Sequence, residues 1–248
     1  MNLEHYQRVF TPDTYTLLQE ATSDLSWLLS RDYTLTASLK LVGDRYRLSK
    51  TLREAVKRTA CSSSSHQSRG AREVSANELK GSTVWIDGFN VLITVERALR
   101  GDPVLICRDG VARDIAGVHG TYRRGRNTID AFDMLTNTLR DLEVAQVKWF
   151  FDRPVSNSGR VAECARGYGE AEVVNDPDQD LINAPSEVIV ISGDGIILER
   201  CTRWYNLVVD VLMRLEGYTH HGMSYHTSDA VRQSETISHS VPWVIDLS

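Results

Sequence analysis

Apolar residues recur at helical spacing through the first sixty positions of the chain. Thr11-Pro12-Asp13 is typical of a helix start, with a capping hydroxyl, a proline at the first helical position and an acid in the first turn. Leucines and an alanine then fall on one face and predict a helix that ends near residues 32–33. A second short helix is predicted over residues 35–42, and Ser49 is expected to cap a third that runs to about Ala60.

From residue 82 the pattern changes to short, continuous apolar runs that alternate with helical segments. Such runs predict a mostly parallel α/β sheet whose two faces are both covered by helices. The predicted helices are residues 91–99, residues 127–143 and one that opens at 157–159, and the tail from Gly217 is predicted to be irregular. The predicted strands are residues 83–86, 104–107, 147–151, 172–174, 188–191 and 206–209.

A serine-rich stretch separates these two patterns. Residues 61–70 have almost nothing to bury, which predicts a flexible linker or loop. We therefore expect a small all-α domain over residues 1–60, a linker over 61–81 and an α/β domain over 82–248.

The apolar runs and the cysteine spacing indicate the cellular compartment in which the protein is expected to act. No apolar run approaches the roughly 18–20 residues that span a bilayer, and the N-terminus lacks the pattern of a secretory signal. The four cysteines lie far apart, without a C-x-x-C pair. This spacing argues against a disulfide framework or a zinc knuckle and favours the reducing cytoplasm, with no membrane partner.

The net charge of −5 is spread unevenly along the chain. Residues 1–80 carry 12 Lys and Arg against 9 Asp and Glu, whereas residues 81–248 carry 16 against 24. A basic segment on an acidic body is compatible with RNA as a ligand. The alternative for the same basic residues is a solvated helix face. Those predicted to contact nucleic acid are Arg45, Arg47, Lys50, Arg53 and Lys57.

Three predicted strands end in the same way, with an aspartate. Asp87, Asp152 and Asp194 hold these positions, and Asp178 follows a fourth strand. Because ligands bind outside the carboxyl ends of parallel strands, we expect the four to converge on one crevice. Such a cluster favours Mg²⁺ or Mn²⁺, which can activate water for attack on a phosphodiester. Each aspartate alone is also common in turns, which is the structural alternative.

Two other segments are candidates for phosphate contact. The glycine-rich, basic stretch 117–126 contains His119, Arg123 and Arg124, whose alternative role is surface solubility. Asn157 and Ser158 open a helix whose N–H groups could face an anion. The tail histidines at 220, 221, 226 and 239 are weaker candidates for a metal. The chain contains no P-loop, no dinucleotide-binding glycine motif and no local signature of a Ser-His-Asp triad.

The stretch 87–92, Asp-Gly-Phe-Asn-Val-Leu, resembles the opening motif of NYN domains, a branch of the PIN-like nucleases. Residues 150–152, 178–181 and 192–195 are similar to later motifs of that family, in the same order. The resemblance implies a PIN-like fold and a metal-dependent ribonuclease, with Mg²⁺ or Mn²⁺ held by Asp87, Asp152, Asp178 and Asp194. One position departs from the pattern, because Ile196 stands where a second aspartate is expected. Glu96 and Asp114 could supply replacement ligands.

The whole chain also resembles an uncharacterised prokaryotic family. Its members join a helical N-terminal domain of unknown function to a PIN-like C-terminal domain. The resemblance covers most of the chain but implies no established activity. The residues that carry it are 24–31, 41–48, 87–96, 119–123 and 152–159.

Three functional hypotheses follow from these patterns. The first is a metal-dependent endoribonuclease acting on structured RNA, with Arg123, Arg124 and Asn90 positioning the backbone. The second is a non-catalytic RNA-binding protein that keeps a degenerate PIN-like fold. The third is another phosphoryl-transfer enzyme or phosphoesterase that uses the same acidic crevice. A homodimer is left open.

Overall fold

Helices occupy most of the described part of the first seventy residues. The computed structural model describes residues 6, 8–115, 122, 125–215 and 244–247. In the first part of these ranges the helices are α1 (Pro12–Leu29), α2 (Leu35–Arg45), α3 (Lys50–Thr59) and α4 (Ser63–Gly70).

Local capping chemistry explains where the first and third helices begin. The backbone N–H of Thr11 donates to Thr14 Oγ1 at 2.9 Å, and a proline starts α1. Ser49 Oγ accepts a hydrogen bond from the backbone of Leu52 at 3.3 Å at the start of α3. The predicted starts of both helices are therefore confirmed, but at α1 the hydroxyl in the cap is that of Thr14 and not that of Thr11.

The serine-rich stretch forms helix α4. Ser62 Oγ caps it by accepting a hydrogen bond from Ser65 N at 3.0 Å. The carbonyl of Arg69 accepts a 2.8 Å hydrogen bond from the Trp204 indole, which ties α4 to the second half of the chain. The prediction of a flexible linker is wrong for this stretch, because its order comes from tertiary partners that composition does not reveal. The predicted domain boundaries stay a prediction.

The rest of the described chain alternates strands and helices. A short 3₁₀ helix spans Ala76–Leu79. The strands are β1 (Thr83–Asp87), β2 (Val104–Ile106), β3 (Ala112–Asp114), β4 (Gln146–Asp152), β5 (Glu170–Val174), β6 (Val188–Ile191) and β7 (Val244–Asp246). The helices are α5 (Gly88–Leu99), α6 (Arg126–Asp141), α7 (Ser158–Ala165), α8 (Pro177–Ile182), α9 (Gly195–Arg200) and α10 (Leu207–Arg214). None of the helices in the described ranges combines the length and apolar character that crossing a bilayer requires.

The larger sheet has four parallel strands in the order β5-β4-β1-β6. In the register, Ile86 of β1 lies opposite Trp149 of β4 on one side and opposite Ile191 of β6 on the other. All four residues of β6 are buried, as expected for a strand covered on both faces. The predicted α/β class, with a mostly parallel sheet flanked by helices, is confirmed.

The smaller sheet joins the two halves of the molecule. Strand β2 pairs antiparallel with β3 and parallel with β7. Side chains from this sheet share a hydrophobic core with the N-terminal helices, where Leu25 of α1 and Val56 of α3 belong to the same buried cluster as Leu105 of β2 and Ile245 of β7. The helices are therefore packed against the α/β part through a common core.

Two predicted elements differ in the structure. Residues 206–209, predicted as a final strand, begin helix α10 instead. Leu207, Val208, Val211 and Leu212 are buried at helical spacing against the large core, so this packing outweighs the β-branched character of the run. Strand β7 lies in the tail, which is predicted to be irregular. The sequence has no local signal for this strand, because its partner β2 is about 140 residues away.

Candidate active site at the carboxyl edge of the sheet

The order of the strands creates a crevice at the carboxyl end of β1. The chain first adds β4 and β5 on one side of β1 and then returns to place β6 on the other side. In open α/β sheets, ligands bind at the point where the strand order reverses. That point lies between β1, which ends at Asp87, and β6, which leads into the loop at 192–194.

Asp87 lies at the base of this crevice and is 7% exposed. The hydroxyl of Ser192 donates a hydrogen bond to Asp87 Oδ2 at 2.8 Å. Burial raises the pKa of Asp87 to about 7, against the opposing effect of the Ser192 hydrogen bond, and the charges of Asp178, Asp194 and Asp152 raise it further. Asp87 therefore gains and loses its proton near neutral pH, and the charges of the other three predicted acids act on it.

Asp152 and Asp178 lie on the more open side of the crevice. Asp152 is the last residue of β4, and desolvation followed by the charge of Asp176 raises its pKa. Asp178 is in the first turn of α8, where desolvation raises its pKa and the charges of Asp194, Asp152 and Asp176 add to the effect. This edge of the sheet therefore concentrates negative charge.

Asp194 caps the short helix α9. Its Oδ1 accepts hydrogen bonds from Ile196 N at 2.7 Å and from Ile197 N at 3.3 Å. Oδ1 is thus committed to the helix, and Oδ2 is the oxygen with capacity for a ligand. Ile196, which departs from the nuclease pattern, is 58% exposed.

The loop that carries Asp194 is held by three polar contacts. Asn90 Oδ1 accepts a hydrogen bond from Gly193 N at 2.7 Å, and Ser192 Oγ accepts one from Asp194 N at 3.0 Å. On the other side, Arg113 Nε donates to the Gly193 carbonyl at 2.6 Å. Asn90, predicted to bind substrate, therefore supports this loop through its side-chain oxygen.

A buried ion network lies beneath the loop, and the sequence analysis missed it. The Nη1 and Nη2 atoms of Arg113 donate to the two oxygens of Asp109 at 2.8 and 2.7 Å. Arg69 bridges Asp109 and Glu199. Burial alone would raise the pKa of Asp109, but Arg113 and Arg69 outweigh it and lower the pKa to about 2. The sequence carries no local signal for this network, since Asp109 and Arg113 lie in a turn and a strand, and Arg69 and Glu199 lie far away in the sequence.

A cleft of about 210 Å³ opens beside Asp194. Arg113 and Asn90 form part of its wall, together with Asp114 of β3. Arg58, from the last turn of α3, also lines it. The helical N-terminal region therefore contributes a basic side chain to the space next to the acidic crevice.

Comparison with known proteins places the chain in a family. The model of a family described as "Domain of unknown function (DUF5616)" matches residues 76–210, more than half of the chain. The chain belongs to this family. A second model, "Protein of unknown function (DUF434)", matches residues 17–72. The predicted membership of an uncharacterised family is confirmed.

A relative aligns with this chain along most of its length. The chain is 29% identical over 208 residues to "Uncharacterized protein MJ0935" of Methanocaldococcus jannaschii, which covers 81% of this chain and 97% of the relative. No solved structure gives a significant match. All four crevice aspartates fall within the DUF5616 match, whereas Arg58 falls within the DUF434 match.

Several predicted site residues make other contacts. Asn157 Nδ2 donates to the Tyr122 carbonyl at 2.7 Å, and Ser158 is buried. Glu96 accepts hydrogen bonds from the hydroxyls of Tyr122 and Thr128, so these partners occupy it. Asp114 lines the cleft. His119, Arg123, Arg124 and the tail histidines lie outside the described residues.

The predicted basic surface on the N-terminal helices is partly neutralised by nearby acids. Arg45 lies 3.4 Å from an oxygen of Asp24. Arg53 pairs with Asp44 at 2.8 Å and also donates to the Leu48 carbonyl. The remaining members are exposed, namely Arg47, Lys50 and Lys57, the last of which lies 3.5 Å from Glu54.

The carboxylates of the crevice have the chemistry that a hard cation prefers, but the described ones are not arranged to hold one. Its carboxylate oxygens are the ligands that Mg²⁺ and Mn²⁺ prefer. Among the described residues, however, no three His, Cys, Asp or Glu side chains are placed to hold one metal ion. The described part of the chain therefore shows Asp87 destabilised by three nearby carboxylates at one edge, without a preformed set of ligands.

Proposed function

We propose that the carboxyl edge of the larger sheet is a divalent-cation-dependent site that hydrolyses RNA phosphodiesters, within a PIN-like domain of the NYN type. The observation that carries the proposal is the buried Asp87, whose pKa is raised to about 7 beside three other aspartates. Strongly perturbed acids in a cleft are typical of functional sites. The position of Asp87 at the reversal point of the strand order supports the same conclusion.

Electrostatics favours a cation at this edge. The charges of Asp178, Asp194 and Asp152 raise the pKa of Asp87, so the ionisation of Asp87 costs stability, and a divalent cation would remove that cost. Among the described residues, no three of these carboxylates are placed to hold one ion. The proposal therefore requires the carboxylates of Asp152 and Asp178 to turn toward Asp87 and Asp194 on binding.

The residues of the crevice have different roles in the proposed reaction. When bound by Asp87 and Asp194, the cation would polarise the phosphodiester and lower the pKa of water. Ser192 orients Asp87 through its 2.8 Å hydrogen bond. Asn90 and Arg113 hold the loop so that Asp194 faces the crevice.

A non-catalytic RNA-binding protein is the second candidate, and a specific observation favours it. Ile196 occupies the position at which the nuclease pattern continues with an aspartate, and its exposed side chain offers no ligand. In that case the acidic edge would bind a cation without hydrolysis, or would bind none.

The deciding experiment is cleavage of a mixed RNA pool by the purified protein with Mn²⁺ or Mg²⁺. We expect cleavage that EDTA abolishes and that the Asp87→Asn variant reduces to background. Asp180→Asn is the matched control, because Asp180 lies on the same short helix as Asp178 but is not among the charges that act on Asp87. Absence of cleavage by the wild-type protein would favour the second candidate. Hydrolysis of small phosphate esters but not of RNA would favour a phosphoesterase.

Cation binding can be tested without activity. We expect Mn²⁺ at pH 8 to raise the melting temperature of the wild-type protein, since an ion that binds only the folded state stabilises it. The shift should largely disappear in Asp87→Asn and persist in Asp180→Asn. An equal shift in all three proteins would place the cation elsewhere.

A further inference from the structure

Arg58 is the residue through which the N-terminal helices reach the acidic edge. It lies in the last turn of α3 and lines the 210 Å³ cleft together with Asn90 and Asp194. Its Nε donates to Glu54 Oε1 at 3.3 Å, and its side chain is 27% exposed. A guanidinium has five N–H donors, so this single contact with Glu54 leaves capacity for a ligand.

Arg113, the other basic residue of the cleft, has no comparable capacity. Its Nη1 and Nη2 donate to Asp109 and its Nε donates to the Gly193 carbonyl. Three of its five N–H groups are thus engaged in supporting the loop, and its side chain is 12% exposed, compared with 27% for Arg58. Arg58 therefore has more N–H groups available for a new hydrogen bond to an anion.

The size and lining of the cleft indicate what kind of ligand it admits. Pockets for drug-sized molecules have volumes of roughly 300–1,000 Å³, so about 210 Å³ suits a smaller group. Besides the two arginines, the wall carries polar groups and two carboxylates, from Thr94, Asn90, Asp114, Asp194 and the backbone at Gly193 and Gly195. A guanidinium on a polar wall matches the geometry of a phosphate, to which Arg can donate two parallel hydrogen bonds.

We propose that Arg58 binds a backbone phosphate of the RNA strand next to the one at the acidic edge, so that the N-terminal helical region forms part of the substrate site. This inference rests on the proposed function for the identity of the ligand as RNA. It singles out Arg58 from the exposed basic residues of α3, because of these only Arg58 lines the cleft.

The test measures RNA binding separately from cleavage. Full-length Asp87→Asn protein is titrated against a fluorescein-labelled pool of single-stranded RNA in Mg²⁺ buffer, and anisotropy is followed at several salt concentrations. We expect Arg58→Gln to weaken binding about tenfold, as for the loss of a charged hydrogen bond. The slope of log affinity against log salt should fall by about 0.7, as for one phosphate contact on a single strand.

Two further variants control for folding and for charge. Arg203→Gln removes an arginine of similar exposure that pairs with Glu78 and does not line the cleft, so its binding should change less than about twofold. Glu54→Gln removes the acid that competes for Arg58, so RNA should bind more tightly. That gain should vanish in the double variant Glu54→Gln/Arg58→Gln. A misfolded variant would not bind RNA more tightly. The Glu54→Gln measurement therefore distinguishes the loss of a contact from the loss of folding.

The outcomes separate this inference from the proposed function. Equal binding by Arg58→Gln and Arg203→Gln would overturn the role of Arg58, even if the wild-type protein cleaves RNA. Arg58-dependent binding without any cleavage by the wild-type protein would support this inference and contradict the hydrolytic function. Failure of the unsubstituted protein to bind RNA would overturn both.

Discussion

Asp87 is a buried carboxyl whose ionisation works against folding. Its pKa in the folded protein is about 7, compared with 3.8 for the free side chain. The folded state therefore holds the proton more tightly than the unfolded state, and stability falls as the pH rises from about 4 to about 7. The stability lost when Asp87 ionises would be recovered when a cation binds at the site.

We expect Asp87→Asn to stabilise the cation-free protein, by up to about 4 kcal/mol at pH 8 and by much less at pH 4.5. Asparagine keeps the shape and an acceptor for Ser192 but carries no charge. Chemical denaturation in EDTA at the two pH values measures the difference. A difference that does not change with pH would contradict the raised pKa of Asp87.

Asp109 behaves in the opposite way, because its charge is stabilised by two arginines. Its pKa of about 2 lies below the free value of 3.8, so its contribution is present above about pH 4 and is lost as the pH falls toward 2. Asp109→Asn should cost about 3–5 kcal/mol at pH 7, since Arg113 and Arg69 lose a buried counter-charge. The gap to the wild-type protein should narrow between pH 4 and pH 2 in urea denaturation.

Glu199→Gln provides the comparison for Asp109→Asn. Glu199 also pairs with Arg69, but its side chain is 33% exposed whereas that of Asp109 is 1% exposed. Solvent can replace much of what Glu199 provides, so a loss of no more than about 1 kcal/mol is expected. Equal losses in the two variants would mean that burial does not decide the strength of this network.

At the scale of elements, the junction between β1 and α5 depends on a glycine. A Cβ atom at Gly88 would lie 2.4 Å from Phe151 Cε1 and 2.7 Å from the Phe150 carbonyl. The helix can therefore begin directly after Asp87 only because no side chain separates it from β4. This close approach explains the Asp-Gly pair in terms of packing and not only of turn chemistry.

Gly88→Ala should destabilise the protein by about 1–3 kcal/mol, because the added methyl group forces Phe151 or the backbone of β4 to move. Gly159→Ala is the control, since a Cβ there meets nothing within 4 Å and the residue lies in helix α7. That variant should be neutral or slightly stabilising. Thermal unfolding measures both, and an undisturbed Gly88→Ala protein would show that the junction can relax.

At the scale of the whole molecule, the shared core joins the N-terminal helices to the α/β part. Leu25 and Val56 lie in one buried cluster with Leu105 and Ile245. A cavity created in the helices should therefore destabilise strand β2 as well. This coupling is also what allows Arg58 to hold a defined place at the site.

We expect Leu25→Ala to destabilise the protein by about 2–5 kcal/mol, because Leu25 is fully buried. Amide hydrogen exchange should speed up in β2 as well as in α1, since both elements border the same core. Leu39→Ala, at a partly buried position packed on the same cluster, should give a smaller effect in the same pattern. Faster exchange confined to α1, α2 and α3 would show that the helices unfold independently.

Local chemistry was sufficient to predict many individual elements. The helix starts after Thr11 and Ser49 and the continuous apolar runs of β1, β4 and β6 depend on interactions within a few residues, so their outcome does not depend on distant partners. The shared strand-end position of Asp87, Asp152 and Asp194 likewise follows from the rule for parallel sheets, and the structure brings their charges within reach of one another.

Other features depended on contacts between residues far apart in the sequence. Helix α10 replaces a predicted strand because the core needs a helical face there, and α4 is ordered by Trp204 and by the partners of Arg69. The pairing of β7 with β2 and the approach of Arg58 to Asp194 have no local signal at all. Sequence patterns report the energy of short segments, whereas burial, ion pairing and strand partners are decided only when the whole chain is packed.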